Sequence, residues 1–389
     1  LFMNYYPRTM DDKVILITYP YDESIDEALA LAHAAGYRVA CTVTQRYLQK
    51  SKYGIGKGKL EEVKRLMEEY NVNRVIMDEV LKPTQEYNLA KELSAEIIDR
   101  EKLILNIFER RASTAESKIQ VKLAQLRYEL TRAREKVRLA KKGEQPGFYG
   151  LGRYEVDDYY RDIKRRITTL KKRLVEVAKR RELFRRQRSR EGLASVSLAG
   201  YTSAGKTTLF NTLVGEYHDT GKGMFTTLST YTRAINVNNR KVLLSDTVGF
   251  ISKLPAYMIE AFRSTLEELT FADLVLLVID GSEPLHMIKK KYHSSTSILN
   301  ELQVSEGRLL YVFNKLDLVD EESIMKNARA LNINIERCIA LSAKYAKNID
   351  ILVDKIGKAL DFITPYSISE TGNNNDDYSY LESLRLDME

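Results

Sequence analysis

Residues Leu193-Ala-Ser-Val-Ser-Leu-Ala199 run directly into Gly200-Tyr201-Thr202-Ser203-Ala204-Gly205-Lys206-Thr207 and then into Thr208-Leu-Phe-Asn-Thr-Leu213. The first segment reads as a buried strand and the last as a helix. The loop between them fits G-x-x-x-x-G-K-[ST] in the strand–loop–helix setting that this pattern requires. Gly200 and Gly205 let the loop wrap so that the backbone from Tyr201, Thr202, Ser203 and Ala204 to Thr208 can cradle phosphates. Lys206 then reaches the β- and γ-phosphates, and the Thr207 hydroxyl faces Mg²⁺. With Gly near 7% of an average chain, the string arises by chance in roughly one chain in a hundred of this length.

Further strings follow in an order that settles the class. Val242-Leu-Leu-Ser-Asp246-Thr247-Val248-Gly249 is a strand ending in D-x-x-G. Asp246 is placed to hold Mg²⁺ through water, and the Gly249 N–H to sense the γ-phosphate. Val275–Asp280 and Leu309–Phe313 read as core strands, the second running into Asn314-Lys315-Leu316-Asp317. In N-K-x-D the Asp317 carboxylate accepts from the guanine N1–H and 2-amino group, a donor pair adenine lacks. Ser342-Ala343-Lys344 can donate backbone to the guanine O6. Phe225, Thr226 and Thr227 form a flexible segment between the loop and Asp246. One of the two threonines should close on Mg²⁺ and the γ-phosphate; Thr227 is preferred and Thr226 is the alternative.

The expected metal ligands are therefore Thr207, Thr227 and Asp246, and the expected catalytic groups Lys206, Thr227 and Gly249. Phe250 follows Gly249 where many GTPases carry a water-orienting Gln. A phenyl ring has no group for that task, so slow intrinsic hydrolysis is expected.

Around this core, 389 residues with 44% hydrophobic and 30% charged content imply two or three folded domains. No apolar run reaches the roughly 18 residues of a membrane span, and a cytoplasmic monomer is expected. Two cysteines, Cys41 and Cys338, exclude a disulfide scaffold or thiolate zinc cluster and read as buried small hydrophobes. The net charge of +7 is uneven: Lys118 to Arg190 carries 24 Lys and Arg against 9 Asp and Glu, a balance of +15 that leaves −8 elsewhere. Such a block suits a polyanion, because neutralising phosphates releases counterions.

Within that block Ile119, Leu123, Leu126, Leu130, Ala133, Val137 and Ala140 alternate at intervals of 4 and 3. Ile163, Ile167, Leu170, Leu174, Val177, Arg181 and Phe184 repeat the register, with Arg181 its break. Two such stripes, separated by the Gly- and Pro-containing 143–152, predict an antiparallel coiled-coil hairpin with its Arg and Lys outside. Upstream, 14–17, 37–43, 74–77 and 96–98 read as buried strands alternating with helices near 23–35, 58–70 and 83–94. The predicted organisation is a small parallel α/β domain over 11–112 and the basic hairpin over 113–190. A Ras-like P-loop GTPase domain follows over 191–365, and then an acidic tail over 366–389.

The residues then resemble the HflX family of translation-factor-related GTPases, over about 11–364. Gly200–Asn211 is similar to the family P-loop, and Asp246-Thr-Val-Gly-Phe-Ile251 to its switch II with the same hydrophobic replacement. Phe225-Thr-Thr-Leu228 aligns with switch I and places Thr227 on its threonine. Gly54–Glu61, Asp99-Arg100 and Ala124-Gln-Leu-Arg-Tyr128 are similar to the N-terminal domain. The resemblance implies a GTPase that binds the large ribosomal subunit through rRNA and splits or rescues ribosomes. The loop Gly147–Gly152 departs from an Arg/Gly-rich tip, and the acidic tail stands where a folded C-terminal domain would be. A signalling switch with a protein-binding coiled coil is the alternative; the predominance of Arg and Lys on the outer hairpin face favours RNA.

Overall fold

The computed structural model describes residues 13–49, 52–141, 153–215, 224, 225, 227, 228 and 230–362. The expected hairpin tip at 143–152, Thr226 and the 366–389 tail lie outside them. The chain divides into two compact units, 1–110 with 121–169 and 111–120 with 170–389.

In the first unit, strands β1 (Lys13–Thr18), β2 (Arg38–Thr44), β3 (Arg74–Met77) and β4 (Glu96–Ile98) alternate with helices α1 (Asp22–Ala34), α2 (Lys57–Tyr70), α3 (Pro83–Leu93) and α4 (Arg100–Arg111). The strands form one parallel sheet in the order β2-β1-β3-β4. Buried Ile15, Ile17, Val75 and Met77 pack against Leu60 and Val63 of α2 and Leu89 of α3. Pro83 opens α3, where its missing N–H costs nothing, and left-handed Asn71 closes α2. Cys41, on edge strand β2, is half-buried rather than buried as expected, since no strand among the described residues lies beyond the outer edge of β2.

Two long helices follow, α5 (Ala115–Lys141) and α6 (Arg153–Arg190), each shared between the units. They run antiparallel: Glu116 pairs with Arg181 in the second unit, and Glu129 lies beside Tyr159 in the first. That pairing explains the break at Arg181, which answers a carboxylate across the seam. Leu123, Leu126, Ala133, Ile163 and Leu174 are buried.

The expectation that the basic residues all stay outside is corrected at two positions. Arg132 is 8% exposed and Lys171 is 4% exposed. Val121, Ala124, Tyr128 and Arg132 form a second buried stripe of α5, at spacings of 3 and 4. Within the first unit this stripe is bolted to the α/β core. Arg132 pairs with Glu86 of α3 at 2.7 Å and with Asp99 after β4, and its guanidinium sits 3.6 Å from the Tyr128 ring centroid. Tyr128 Oη donates to Asp99 at 3.0 Å. An arginine can be buried where carboxylates from elsewhere in the chain meet it.

The second unit adds β5 (Ala194–Gly200), α7 (Lys206–Val214), β6 (Tyr231–Val237), β7 (Arg240–Asp246), α8 (Ala256–Ala261), α9 (Arg263–Thr270) and β8 (Leu274–Asp280). It continues through α10 (Leu285–Glu301), β9 (Leu309–Asn314), α11 (Glu321–Ala330), β10 (Cys338–Ala340) and α12 (Ile349–Phe362). Its sheet has the order β10-β9-β8-β5-β7-β6, parallel except for β6. Asn238 and Asn239, both at positive φ, make the two-residue turn that joins β6 to β7. Central β8, Leu-Val-Leu-Leu-Val-Ile-Asp, is buried throughout because both faces are covered. Leu266, Leu269, Ile288, Ile298 and Ile324 cover one face, and Leu209, Phe210, Leu352 and Ile356 the other. Among the described residues no helix is long and apolar enough to cross a membrane.

Candidate nucleotide site

The loop after β5 lies at the carboxyl ends of the central strands, where a parallel sheet leaves a crevice. Gly200 has φ +139°, and a Cβ there would stand 2.2 Å from the Val278 carbonyl oxygen. Only glycine fits so close to β8. Gly205, also at positive φ, caps α7. Ser203 at φ +64° is exposed, whereas Tyr201, Thr202 and Ala204 are buried. Thr208 lies in the first turn of α7, its carbonyl accepting from Thr212 Oγ1 at 2.9 Å.

Lys206 is 6% exposed and donates to the carbonyls of Gly200 at 3.1 Å and Tyr201 at 2.8 Å. Burial pulls its ammonium down to about 8, partly opposed by the nearby Asp246 carboxylate. Gly249 lies directly above: a Cβ added there would be 3.0 Å from Lys206 Nζ and 2.9 Å from Thr202 Cγ2. The residues expected to touch the γ-phosphate thus come together.

Three further residues converge from separate elements. Asp246 Oδ2 accepts from Thr207 Oγ1 at 2.8 Å and from Thr227 Oγ1 at 2.8 Å, and the two hydroxyls are 3.0 Å apart. Burial pushes the Asp246 carboxyl up, while Lys206 and the two hydroxyls pull it down. Its other oxygen, Oδ1, is buried with no hydrogen-bond partner among the described residues. Leaving such an oxygen unpaired costs about 1–3 kcal/mol. A carboxylate with an open oxygen beside two hydroxyls is a hard-oxygen donor set that fits Mg²⁺. Phe225 is buried at φ +56°, and Thr227 is buried as well.

At the other end of the crevice, Asn314 ties three segments together. Its Nδ2 donates to the Ala204 carbonyl at 2.9 Å, and its Oδ1 accepts from the Ala343 N–H at 2.9 Å. Ser342 Oγ donates to Asp317 Oδ1 at 2.6 Å, leaving that exposed carboxylate aligned by its neighbour. Lys344 is exposed, 5.0 Å from the Tyr345 ring centroid.

Two features of the site escaped the sequence reading, the Asp280–Lys315 pair and the backbone bonds of Phe250. Asp280 ends β8 and grips Lys315, its other oxygen accepting from Ser282 Oγ at 2.6 Å. The only sequence signal was a carboxylate closing an apolar strand. Phe250 is a packed aromatic, 2% exposed among Ala199, Leu266 and Leu269. Its backbone, however, is stitched to the loop: its N–H donates to Gly200 O at 3.0 Å, and its carbonyl accepts from Thr202 N–H at 2.8 Å.

Comparison with known proteins agrees over most of the chain. Family models described as GTP-binding GTPase N-terminal, GTP-binding GTPase Middle Region and 50S ribosome-binding GTPase match residues 22–109, 111–188 and 195–315. The GTPase HflX of Methanocaldococcus jannaschii is 44% identical over 86% of this chain and 82% of its own length. That of Thermococcus kodakarensis is 41% identical over 85% and 76%. A GTP-binding protein from the hyperthermophilic archaeon Sulfolobus solfataricus, solved in complex with GDP, aligns over 91% of this chain and 100% of that one. It is 30% identical, with a TM-score of 0.50. With a parallel sheet, a P-loop, an aligned N-K-x-D string and relatives of this identity over most of its length, the chain belongs to the GTPase HflX family.

Proposed function

We propose that the chain binds GTP with Mg²⁺, hydrolyses it slowly on its own, and uses the bound state to control association with the large ribosomal subunit. The observation that carries the nucleotide half is the meeting of Thr207 and Thr227 on Asp246, with one Asp246 oxygen left open. In this reading Thr207, Thr227 and Asp246 would hold Mg²⁺, which would supply neutralisation of phosphate charge. The loop from Gly200 to Thr208 cradles the phosphates, Lys206 bonds the β- and γ-phosphates, and the Gly249 N–H bonds the γ-phosphate. Asn314, Asp317 and the Ser342–Lys344 backbone take the guanine, with Lys315 held by Asp280. Phe250 offers nothing to the attacking water, so turnover waits on a group supplied by the partner.

The ribosomal half is supported by the description of the matching family, a 50S ribosome-binding GTPase, and by the charge of the hairpin. Arg165, Arg166, Lys172, Arg173, Lys179 and Arg180 are exposed on α6. Cations in a row on an exposed helix suit an rRNA backbone. Splitting or rescue of ribosomes in the cytoplasm, by a monomer, completes the proposal.

Sedimentation with ribosomes tests it. Co-migration with the large subunit is expected with a non-hydrolysable GTP analogue and not with GDP, together with faster GTP turnover when subunits are added. No co-migration in either state would sink the ribosomal half while leaving the nucleotide half to stand or fall on GTP hydrolysis.

A further inference from the structure

Tyr201 occupies a variable position of the phosphate loop, where the motif asks only for backbone. Its carbonyl does loop work, accepting from Lys206 Nζ at 2.8 Å. Its side chain does something else. Tyr201 Oη accepts from the Ser252 N–H at 2.8 Å, three residues past Gly249. The phenol is 5% exposed, with the Lys291 ammonium 5.2 Å from the ring centroid. Lys291 is itself paired with Glu283, so the ring is held from the α10 side. Tyr201 and Phe250 also form an isolated parallel bridge, through the two backbone bonds that Phe250 makes with Gly200 and Thr202.

We infer that Tyr201 is a positioning residue for hydrolysis: its hydroxyl fastens the segment after Gly249 to the loop that holds Lys206, and so fixes the Gly249 N–H over the γ-phosphate site. The physical case is one of leverage. Gly249 has no side chain to anchor it, and the bonds that restrain it come from the residues that follow. Phe250 supplies two through its backbone, and Ser252 supplies one through the Tyr201 hydroxyl. The same residue touches Lys206 with its backbone carbonyl, so one residue, through carbonyl and hydroxyl, ties the ammonium and the Gly249 segment into a single frame. With the usual glutamine replaced by Phe250, alignment of the γ-phosphate by this frame is a larger share of what the chain itself contributes.

The inference rests on the GTPase reading, and its test separates the two. Tyr201→Phe keeps the ring and removes only the oxygen. It should lower kcat for GTP about 5- to 10-fold, the cost of one hydrogen bond that matters in the transition state. KM for GTP and the dissociation constant of GDP should stay within about twofold, because the hydroxyl points to Ser252 and not to nucleotide. Ser252→Pro removes the donor of the same bond, and the double variant should be no slower than the slower single one. Additive losses, a change confined to KM or GDP affinity, an unchanged kcat or a raised kcat would each overturn the role. Failure of the wild-type chain to hydrolyse GTP would instead overturn the GTPase reading on which it rests.

Discussion

Two of the buried cations, one in each unit, carry opposite kinds of chemistry. Arg132, in the first unit, is surrounded by carboxylates: Glu86 at 2.7 Å, Asp99 in direct contact, and Glu101 at 4.0 Å. Lys206, in the second, donates to two carbonyls and meets no carboxylate within salt-bridge distance among the described residues. The arginine's pKa is driven up by its partners, and the lysine's is pulled down to about 8 by burial. A buried cation that is answered is a bolt, while one that is unanswered is a receptor for charge brought from outside. That difference tells a binding site from a structural weld without reference to any motif.

Lys206→Ala offers the hardest test of the contrast. Loss of the ammonium should cut kcat/KM for GTP by about 10³-fold, the scale of losing a charged group aimed at a transition state. The nucleotide-free chain should lose much less stability than it does on loss of Arg132, because the ammonium is held by two carbonyls and not by a carboxylate pair. A fall in melting temperature without loss of turnover would reverse the roles assigned to the two cations.

Arg132→Ala should do the opposite. It leaves Asp99 buried and unpaired, at a cost of about 3 kcal/mol in urea unfolding, while KM for GTP stays within about twofold of wild type. Replacing the pair together, Arg132→Met with Asp99→Leu, should recover most of the loss, since an apolar pair carries no desolvation cost. Equal damage from the single and double variants would mean that the network, and not the unpaired charge, is what matters.

The carboxylates repeat the lesson at smaller scale. Asp99 is fully buried and accepts from Arg132, Tyr128 and the N–H groups of Lys102 and Leu81. Asp317 is exposed and aligned by the Ser342 hydroxyl. Asp317→Asn should weaken GTP about 10²-fold, the cost of a charge-assisted pair of hydrogen bonds, and shift preference toward xanthosine triphosphate. A variant that still favours GTP would show that the base is read elsewhere.

The second unit was the more legible of the two, for a physical reason. A phosphate loop is a local solution: Gly200, Gly205, Lys206 and Thr207 lie within one turn of chain, and backbone geometry dictates which residue types can stand there. The alternation of strands and helices in the first unit was legible on the same grounds, because burial on two faces writes continuous apolar runs such as Val14–Ile17. What the spacing could not convey was that Arg132 and Lys171 are buried. A basic residue between apolar ones reads as solvated unless the carboxylates that meet it are known, and Glu86 and Asp99 lie 46 and 33 positions from Arg132. The side-chain role of Tyr201 was hidden in the same way: the motif accounts for its backbone and is silent about Ser252.

Exposed cations complete the comparison and carry its smallest effect. Arg165, Arg166 and Lys172 stand in solvent on α6, where Arg166 makes an exposed ion pair with Asp162 at 2.9 Å. Such a surface pair is worth about 0–1 kcal/mol and does not compete with a phosphate. Reversing all three to Glu should leave the fold and GTP turnover alone while weakening large-subunit binding about tenfold near physiological salt. The slope of log K against log salt should also become shallower by about 2 to 3, since each lost phosphate contact removes about 0.7–0.9 of a counterion. Lys171→Glu, one position away, should do something different: it places a carboxylate in a buried position and lowers the melting temperature whether or not ribosomes are present. If the triple variant bound with wild-type strength and slope, the row of charge on α6 would be a solvated face, and the ribosomal contact would have to be sought on another surface.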